Sequence, residues 1–252
     1  MNLLLLKPSE LDGPTIELNE RRAHHLISVL KVSPGDQLRT GIVGVGSILA
    51  RVDTVGPSSV MLKLGEVTPA PPPTTHVVLA IPRPKALSRI VQCVSSFGAA
   101  SITLTNAWKV EKSYLSSPRL SAERLQTDAL LGCEQGRQCH PPLIKVFRRL
   151  TEFLEQSPAP SHQALKCVLD PEAQEELNST LNKAPSLATD DVATVFVVGP
   201  DGGFIPREIE TFADRGYLGT RINVGPLRTE VAVAAMLGIY SVSSRYVPSH
   251  LL

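Results

Sequence analysis

Hydrophobic and polar residues alternate along the first 70 residues of the chain. Alternating segments at residues 37–40, 47–52 and 60–64 are separated by Gly- and Pro-containing turns. Alternation of this kind predicts short β-strands, and several of them with tight turns indicate a small β-barrel. Residues 20–30 instead place apolar side chains at helical spacing and predict one helix within this region.

The pattern changes after residues 69–75, which read PAPPPTT. Continuous apolar runs typical of buried strands now alternate with segments of helical period, which predicts an α/β domain with a parallel sheet. We therefore predict a β-barrel domain at residues 1–68, a Pro-rich linker at 69–75 and an α/β domain at 76–252. The predicted strands are residues 76–81, 101–105, 166–170, 192–198 and 221–224, and the predicted helices are residues 85–97, 121–133, 171–181, 206–214 and 229–246.

Composition narrows the class of protein. The 252 residues are 42% hydrophobic and 19% charged, which is ordinary for a folded globular chain. The four cysteines form no CxxC pair and have no histidine at zinc-ligand spacing, so we expect reduced thiols and no metal site. The start MNLLLL is too short for a signal sequence, and no run of about 18 apolar residues is present. We expect no membrane span and a cytoplasmic location.

The strongest local signal is the loop Gly199–Pro200–Asp201–Gly202–Gly203, which follows the predicted strand VATVFVV and precedes a helix. Ligands of open α/β sheets bind at the carboxyl ends of strands, where glycines allow close approach of the backbone. The loop is neither GxGxxG nor a P-loop, so no dinucleotide or nucleoside triphosphate fingerprint is present. A tight turn that needs positive φ is the alternative interpretation.

A second loop, residues 224–230 (VGPLRTE), also follows a predicted strand and opens the last helix. Thr229 is a candidate N-cap, and Glu230 suits the positive end of the helix dipole, so both have structural explanations. Arg228 is harder to explain structurally, because it precedes the helix at the same strand ends as Asp201. Two such loops predict one shared pocket.

Other candidates are weaker. Residues 134–137 (EQGR) end an amphipathic helix, where charged groups are usually only solvated. The pair His24 and His25 has no carboxylate or cysteine partner at metal-ligand spacing. No GxSxG motif indicates covalent hydrolysis.

At these loops the sequence resembles the ribosomal RNA uridine N3-methyltransferases of the SPOUT superfamily. GPDGGFIPREIE is similar to the GPEGGF-type motif of that family, and VGPLRTEVAVAAMLGIY to its LG…LRTETA segment. GCEQGR resembles its Glu-Gln…Arg motif, and AIPRPKALSRIVQCVSSFGAASITL its PK…LGV stretch. WKVEKSYLSSP matches a subset of the family, and RRAHHLISVLKVSPGDQL resembles its HL…VLR…GD segment. The resemblance covers nearly the whole chain.

The resemblance implies a PUA-like or OB-like barrel that helps to hold RNA, followed by a SPOUT-type parallel sheet with a trefoil knot. It implies that S-adenosylmethionine binds among three loops and that the protein is a homodimer acting on ribosomal RNA or the small ribosomal subunit. The chain departs from the family pattern in having Asp201 where Glu is usual and a shorter loop before Glu230. The implied cofactor-binding residues are Leu79, Ile81, Gly199, Asp201, Gly202, Gly203, Val224, Gly225, Leu227 and Thr229.

The implied reaction is methylation of N3 of a uridine in small-subunit ribosomal RNA. Arg228 and then Arg137 are the candidates to stabilise charge on the base, since a guanidinium is a good electrostatic partner and a poor base. Glu230 or Glu134 is a candidate base. The alternatives are methylation of another RNA nucleotide, a non-catalytic RNA-binding protein, and an α/β enzyme that binds some other phosphate or nucleotide ligand.

The net charge of +1 conceals a strong segregation of charge. Residues 1–75 are neutral, residues 76–150 carry +7, and residues 151–252 carry −6. A cluster of this size can attract phosphates although the whole chain is nearly neutral. The predicted RNA-binding residues within it are Lys85, Arg89, Lys109 and Lys112.

Overall fold

The computed structural model describes residues 2–156, 164–183, 193–222 and 225–243. The chain forms two compact units. The first contains Met1–Pro72 together with Cys133–Pro141, and the second contains Pro73–Gly132 and Pro142–Leu252. A short segment from the middle of the sequence is therefore part of the N-terminal unit.

The first unit is built on a five-stranded sheet with the order β1-β3-β4-β5-β2, in which only the β1–β3 pair is parallel. The sheet is curled into a half-barrel, whereas the sequence pattern predicted a barrel. The predicted helix is present, but it is α-helical only over Glu20–His24 (α1) and continues as a π-helical turn over His25–Leu30. The strands are β1 (Leu4–Leu6), β2 (Thr15–Leu18), β3 (Gln37–Ile42), β4 (Gly46–Val55) and β5 (Val60–Pro69).

The second unit contains a seven-stranded sheet with the order β10-β12-β9-β11-β6-β7-β8. All of its strand pairs are parallel, as the sequence pattern predicted. Parallel strands all end at the same edge of the sheet, so the loops after them meet there. The strands are β6 (Thr75–Ala80), β7 (Ser101–Thr105), β8 (Leu143–Phe147), β9 (Leu165–Leu169), β10 (Glu175–Glu176), β11 (Thr194–Val198) and β12 (Leu218–Arg221).

Helices cover both faces of this sheet. Val77 and Leu79 of β6 point into a core with α2, α3, α5 and α7, whereas Val78 between them points into a second core with α4 and α6. Burial on both faces explains why these strands read as continuous apolar runs. The helices are α2 (Pro84–Ser96), α3 (Ala122–Gly136), α4 (Leu150–Gln156), α5 (Leu177–Lys183), α6 (Pro206–Ala213) and α7 (Thr229–Ser243).

Two predicted elements differ in the structure. The helix expected at residues 171–181 begins only at Leu177, because the Asp170 carboxylate accepts the amide of Glu172 and forms a turn. The strand expected at 221–224 begins earlier, since β12 covers Leu218–Arg221 and pairs with β9 from Leu218 to Thr220, and residues 223–224 lie outside the described residues. The edge strand β8 and the short helix α4 were not predicted.

The four cysteines are free thiols. Burial raises the pKa of the Cys133 and Cys167 thiols to about 12, and no disulfide joins any of the four cysteines. Over the described ranges, no helix is both long and apolar enough to cross a membrane.

Candidate cofactor and RNA site

A cavity of about 490 Å³ lies at the carboxyl edge of the parallel sheet, within the second unit. A volume of this size is typical of sites for small molecules and cofactors. The loops after β9, β11 and β12 border it, together with the start of α7. Its lining residues are Lys109, Leu169, Asp170, Pro171, Glu172, Val198, Gly199, Pro200, Asp201, Gly202, Gly203, Phe204, Thr220, Arg221, Ile222, Gly225, Pro226, Leu227, Thr229 and Ala232.

The Asp201 carboxylate joins three loops. Its Oδ1 accepts hydrogen bonds from the backbone N–H of Thr229 and from the Thr229 hydroxyl, each at 3.1 Å. Its Oδ2 lies 2.9 Å from Nε of Arg83, in the loop after β6. Asp201 therefore holds three segments in one arrangement: the loop of residues 199–203 (the glycine loop), the start of α7 and the loop after β6.

These contacts determine the ionisation of Asp201. Partial burial alone would raise the pKa of the carboxyl group. The hydrogen bonds from Thr229 and the positive charges of Arg83 and Arg228 outweigh that effect, so the pKa lies below its ordinary value of 3.8. Asp201 is therefore an anion throughout the neutral pH range.

The same contacts correct the expected N-cap. Thr229 is the first residue of α7, and the carbonyl of Arg228 accepts the amides of Val231 and Ala232. The Thr229 hydroxyl also lies 3.3 Å from the carbonyl oxygen of Gly199, so its single proton is shared between that oxygen and Oδ1 of Asp201. Asp201, from another loop, thus satisfies a backbone N–H that a local N-cap cannot reach.

The glycine loop needs its glycines for geometric reasons. Gly203 has a φ of +69°, a conformation that side chains disfavour. A Cβ at Gly199 would lie 3.1 Å from the ring of Phe204. Lys109 secures the outer side of the loop, since its Nζ donates to the carbonyl of Gly202 at 2.7 Å.

The structure brings most of the implied cofactor residues to this cavity. Ile81 lies instead on an adjoining cavity of about 160 Å³, which shares Lys109 and Asp201 with the larger one. Leu79 is fully buried in the core and lines neither cavity, and Val224 lies outside the described residues. The implied residues that line the larger cavity are Gly199, Asp201, Gly202, Gly203, Gly225, Leu227 and Thr229.

The candidate catalytic residues fall into two groups. Arg228 is exposed beside the cavity and Glu230 is partly buried in the first turn of α7. Arg137 and Glu134 belong to the first unit. Glu134 is 6% exposed and lies 3.6 Å from Nη2 of Arg21, so its burial and its ion pair give it a structural role.

The predicted RNA-binding cations are exposed. Lys85 and Arg89 are one helical turn apart on α2, so they project from the same face. Arg119 reaches that helix through a hydrogen bond of 3.1 Å from its Nη1 to the Ser88 hydroxyl. Lys109 and Lys112 lie in the segment after β7.

Sequence reasoning missed the contributions of β9 and β12 to the cavity. Asp170 and Glu172 follow β9, and Arg221 and Ile222 end β12. Both regions were predicted as strands or strand ends. Because ligands of open α/β sheets bind at the carboxyl ends of strands, these residues could have been proposed as part of the pocket. The order in which the strands lie in the sheet was the missing information.

Among the described residues, no group of three or more His, Cys, Asp or Glu side chains is placed to hold a metal ion.

Comparison with known proteins identifies the family. A family model described as an RNA methyltransferase domain matches residues 69–241. The ribosomal RNA small subunit methyltransferase E of Treponema pallidum is 29% identical over 95% of this chain and 90% of its own. The ribosomal RNA small subunit methyltransferase E 1 of Borreliella burgdorferi is 27% identical over 93% of this chain and 95% of its own.

In fold, the chain is similar to a ribosomal RNA small subunit methyltransferase E from Neisseria gonorrhoeae bound to S-adenosyl methionine. The TM-score is 0.76, with 20% identity over 96% of this chain and 97% of that one. The family match covers well over half of the chain, and the protein belongs to the RNA methyltransferase domain family.

Proposed function

We propose that this protein transfers the methyl group of S-adenosylmethionine to N3 of a uridine in small-subunit ribosomal RNA. The junction of three loops at Asp201, with Arg228 beside the cavity, is the observation that carries the proposal. Family membership and the names of the relatives support an RNA substrate. The N3 position rests on the resemblance of the loop motifs.

The cavity fits the proposed cofactor. S-adenosylmethionine combines a flat adenine, a ribose, a cationic sulfur and an amino acid end. Leu169, Ile222 and Leu227 offer apolar surface for the adenine, and Glu172 offers a carboxylate for hydroxyl or ammonium groups. The glycine loop adds backbone groups that can approach the cofactor closely.

The chain's own residues would then handle charge and protons. The bound cofactor supplies an electrophilic methyl group, so the bond from sulfur to methyl breaks as the bond from N3 to methyl forms. The N3 proton must leave, and we assign its acceptance to the carboxylate of Glu230. Arg228 would stabilise the negative charge that develops on O2 and O4 of the base. S-adenosylhomocysteine is the other product.

The decisive experiment uses small ribosomal subunits from cells that lack this protein. Incubation with the purified protein and isotopically labelled S-adenosylmethionine should place label in 3-methyluridine after digestion of the RNA to nucleosides. Label in another methylated nucleoside would favour a different target position. Tight cofactor binding with no labelled nucleoside would contradict the proposed methyltransferase activity on this substrate.

Affinity for RNA should depend on the exposed cations of α2. We expect the Lys85→Ala/Arg89→Ala double variant to bind RNA more weakly and to lose about 1–2 from the slope of log affinity against log salt, because each lysine or arginine releases counterions from the phosphates. Filter binding or fluorescence anisotropy between 50 and 200 mM salt measures the slope (roughly the range in which such effects are large).

Lys183→Ala provides the matched control, because Lys183 is already paired with Glu175 at 3.0 Å on the surface of the same unit. Equal slopes for the double variant and this control would remove α2 from the RNA surface.

We also propose that the protein is a homodimer through α7. Glu230 is the sole charged residue of α7, and Val231 and Val242 are 48% and 83% exposed. A helix with apolar residues on all sides is normally covered, and a second copy of the chain is the occupant that the resemblance implies. Sedimentation that gives a monomeric mass at micromolar concentration would contradict this proposal.

The trefoil knot implied by the resemblance is likewise a proposal. The three loops that meet at Asp201 come from distant parts of the chain, as a knotted pocket requires. Pulling on both ends of one molecule tests it. A knotted chain should extend less than its full contour length of about 3.3–3.6 Å per residue, because the tightened knot retains residues.

A further inference from the structure

We propose that Trp108 stacks on an unpaired base of the RNA substrate beside the cofactor cavity. This inference rests on the proposed function, and it adds an RNA-positioning residue that neither the loop motifs nor the charge pattern indicated. Trp108 is the single tryptophan of the chain, and it is 78% exposed. An indole exposed to this extent offers a large flat face on which a nucleic-acid base can stack.

The Trp108 backbone is held in place although its side chain is exposed. Its N–H donates to Oε1 of Glu208 at 2.9 Å, and the other oxygen of that carboxylate accepts the amide of Ile205 at 3.0 Å. Its neighbours Ala107 and Val110 are buried, and a backbone hydrogen bond of 3.0 Å joins them. The backbone that carries the ring is therefore held in place, so little backbone entropy is lost when the ring binds a partner.

The position of Trp108 is that of a residue close to the reacting base. Lys109, the next residue, lines both cavities and binds the glycine loop through the carbonyl of Gly202. The segment that contains Trp108 and Lys109 follows β7, and the carboxyl end of β7 lies at the edge of the sheet where the cavity opens. A base delivered to the cavity would pass close to Trp108.

The surroundings of Trp108 favour RNA over an apolar protein partner. Lys112 is exposed in the same segment, and Lys109 and Arg83 keep exposed cationic groups there although they also bind Gly202 and Asp201. One aromatic ring among cations matches the arrangement that binds single-stranded nucleic acid, in which rings stack on bases and cations contact phosphates. An apolar protein interface would instead need neighbouring apolar side chains, whereas the exposed residues that follow Trp108 in the segment are Lys109, Glu111 and Lys112.

The single tryptophan makes the proposal directly measurable. Indole emission of the wild-type protein, saturated with S-adenosylhomocysteine, should be quenched by a single-stranded oligouridylate and far less by its duplex with oligoadenylate. Heparin provides charge without bases. Equal quenching by heparin and the oligouridylate would overturn stacking.

Variants separate stacking from a structural role. We expect Trp108→Ala to raise the RNA dissociation constant and the KM for ribosomal subunits roughly 5- to 100-fold, with little change in kcat or in cofactor affinity. Trp108→Phe should restore most of the loss, because phenylalanine also stacks. Leu143→Ala is the matched control, since Leu143 is 61% exposed at the amino end of β8, away from the cavity edge.

The outcomes also distinguish this inference from the proposed function. Wild-type methyl transfer to uridine with an unchanged KM in Trp108→Ala would overturn the inference alone. Base-dependent quenching together with label in another methylated nucleoside would support the inference and replace only the proposed target.

Discussion

Replacing Arg228 with alanine should lower kcat for methyl transfer at least about 100-fold while the protein stays folded. The proposed reaction develops negative charge on the uracil oxygens, and removal of one well-placed donor to such charge typically costs about 100- to 1,000-fold in kcat. The Arg228 side chain is exposed, and the contacts that begin α7 come from its backbone carbonyl, which alanine retains. Single-turnover methyl transfer to ribosomal subunits measures the effect, and thermal unfolding checks the fold.

Arg215→Ala is the matched control for this variant. Arg215 is exposed in the turn before β12, at the amino ends of the strands, and so lies at the opposite edge of the sheet from the cavity. A rate near that of wild type in Arg228→Ala would remove Arg228 from the catalytic role. Arg228→Lys should recover only part of the rate lost in Arg228→Ala, because the point charge of an ammonium does not reproduce the bidentate guanidinium.

Replacing Asp201 with alanine should damage both stability and cofactor binding. Loss of a side chain that caps a helix typically costs about 1 kcal/mol. The same change leaves Arg83 without its carboxylate partner and releases the glycine loop from α7. We therefore expect the free energy of unfolding to fall by about 1–2 kcal/mol and the dissociation constant of S-adenosylmethionine to rise at least about 10-fold.

Asp201→Asn separates the two contributions of this residue. The asparagine oxygen can still accept the Thr229 amide, but it carries no charge for Arg83. Stability close to wild type together with weakened cofactor binding would assign the effect to the charge. Calorimetric titration and denaturant unfolding measure the two quantities, and cofactor affinity equal to wild type in Asp201→Ala would exclude the junction from the site.

The pKa of Asp201 also fixes the sign of its pH dependence. The folded-state pKa is lower than the ordinary value of 3.8, so the contribution of Asp201 to stability is fully present above that value. It is lost as the pH falls below 3.8 through the folded-state pKa. Unfolding measured across this acid range should show a smaller dependence on pH in Asp201→Asn than in the wild type.

The elements with a strong hydrophobic pattern were predicted correctly from the sequence. The strand β11, predicted from a continuous apolar run, and the amphipathic α2 are found where the sequence places them, because both are buried against neighbours along most of their length. The glycine loop after β11 was recognisable because a loop of three glycines, a proline and an aspartate after a buried strand has few structural explanations.

The missed features depend on contacts between distant residues. Nothing near Asp201 indicates that its partners are Arg83 and Thr229, since that follows from the order β9-β11-β6 in the sheet. The turn after β9 was assigned to a helix because Pro171 is also a good first helical residue, and the Asp170 carboxylate decides against it. The exposure of Trp108 could not be predicted, because tryptophan side chains are on average largely buried.

The start of α7 lines the cavity where we place the cofactor, and this has a thermodynamic consequence. One end of this helix is bound to Asp201, and its exposed valines lie along the surface where we place the second subunit. If filling the cavity shifts α7, cofactor affinity and subunit affinity become linked quantities. Linkage is reciprocal, so the factor by which cofactor strengthens the dimer must equal the factor by which dimerisation strengthens cofactor binding. Subunit exchange measured with and without S-adenosylhomocysteine would give that factor for both events.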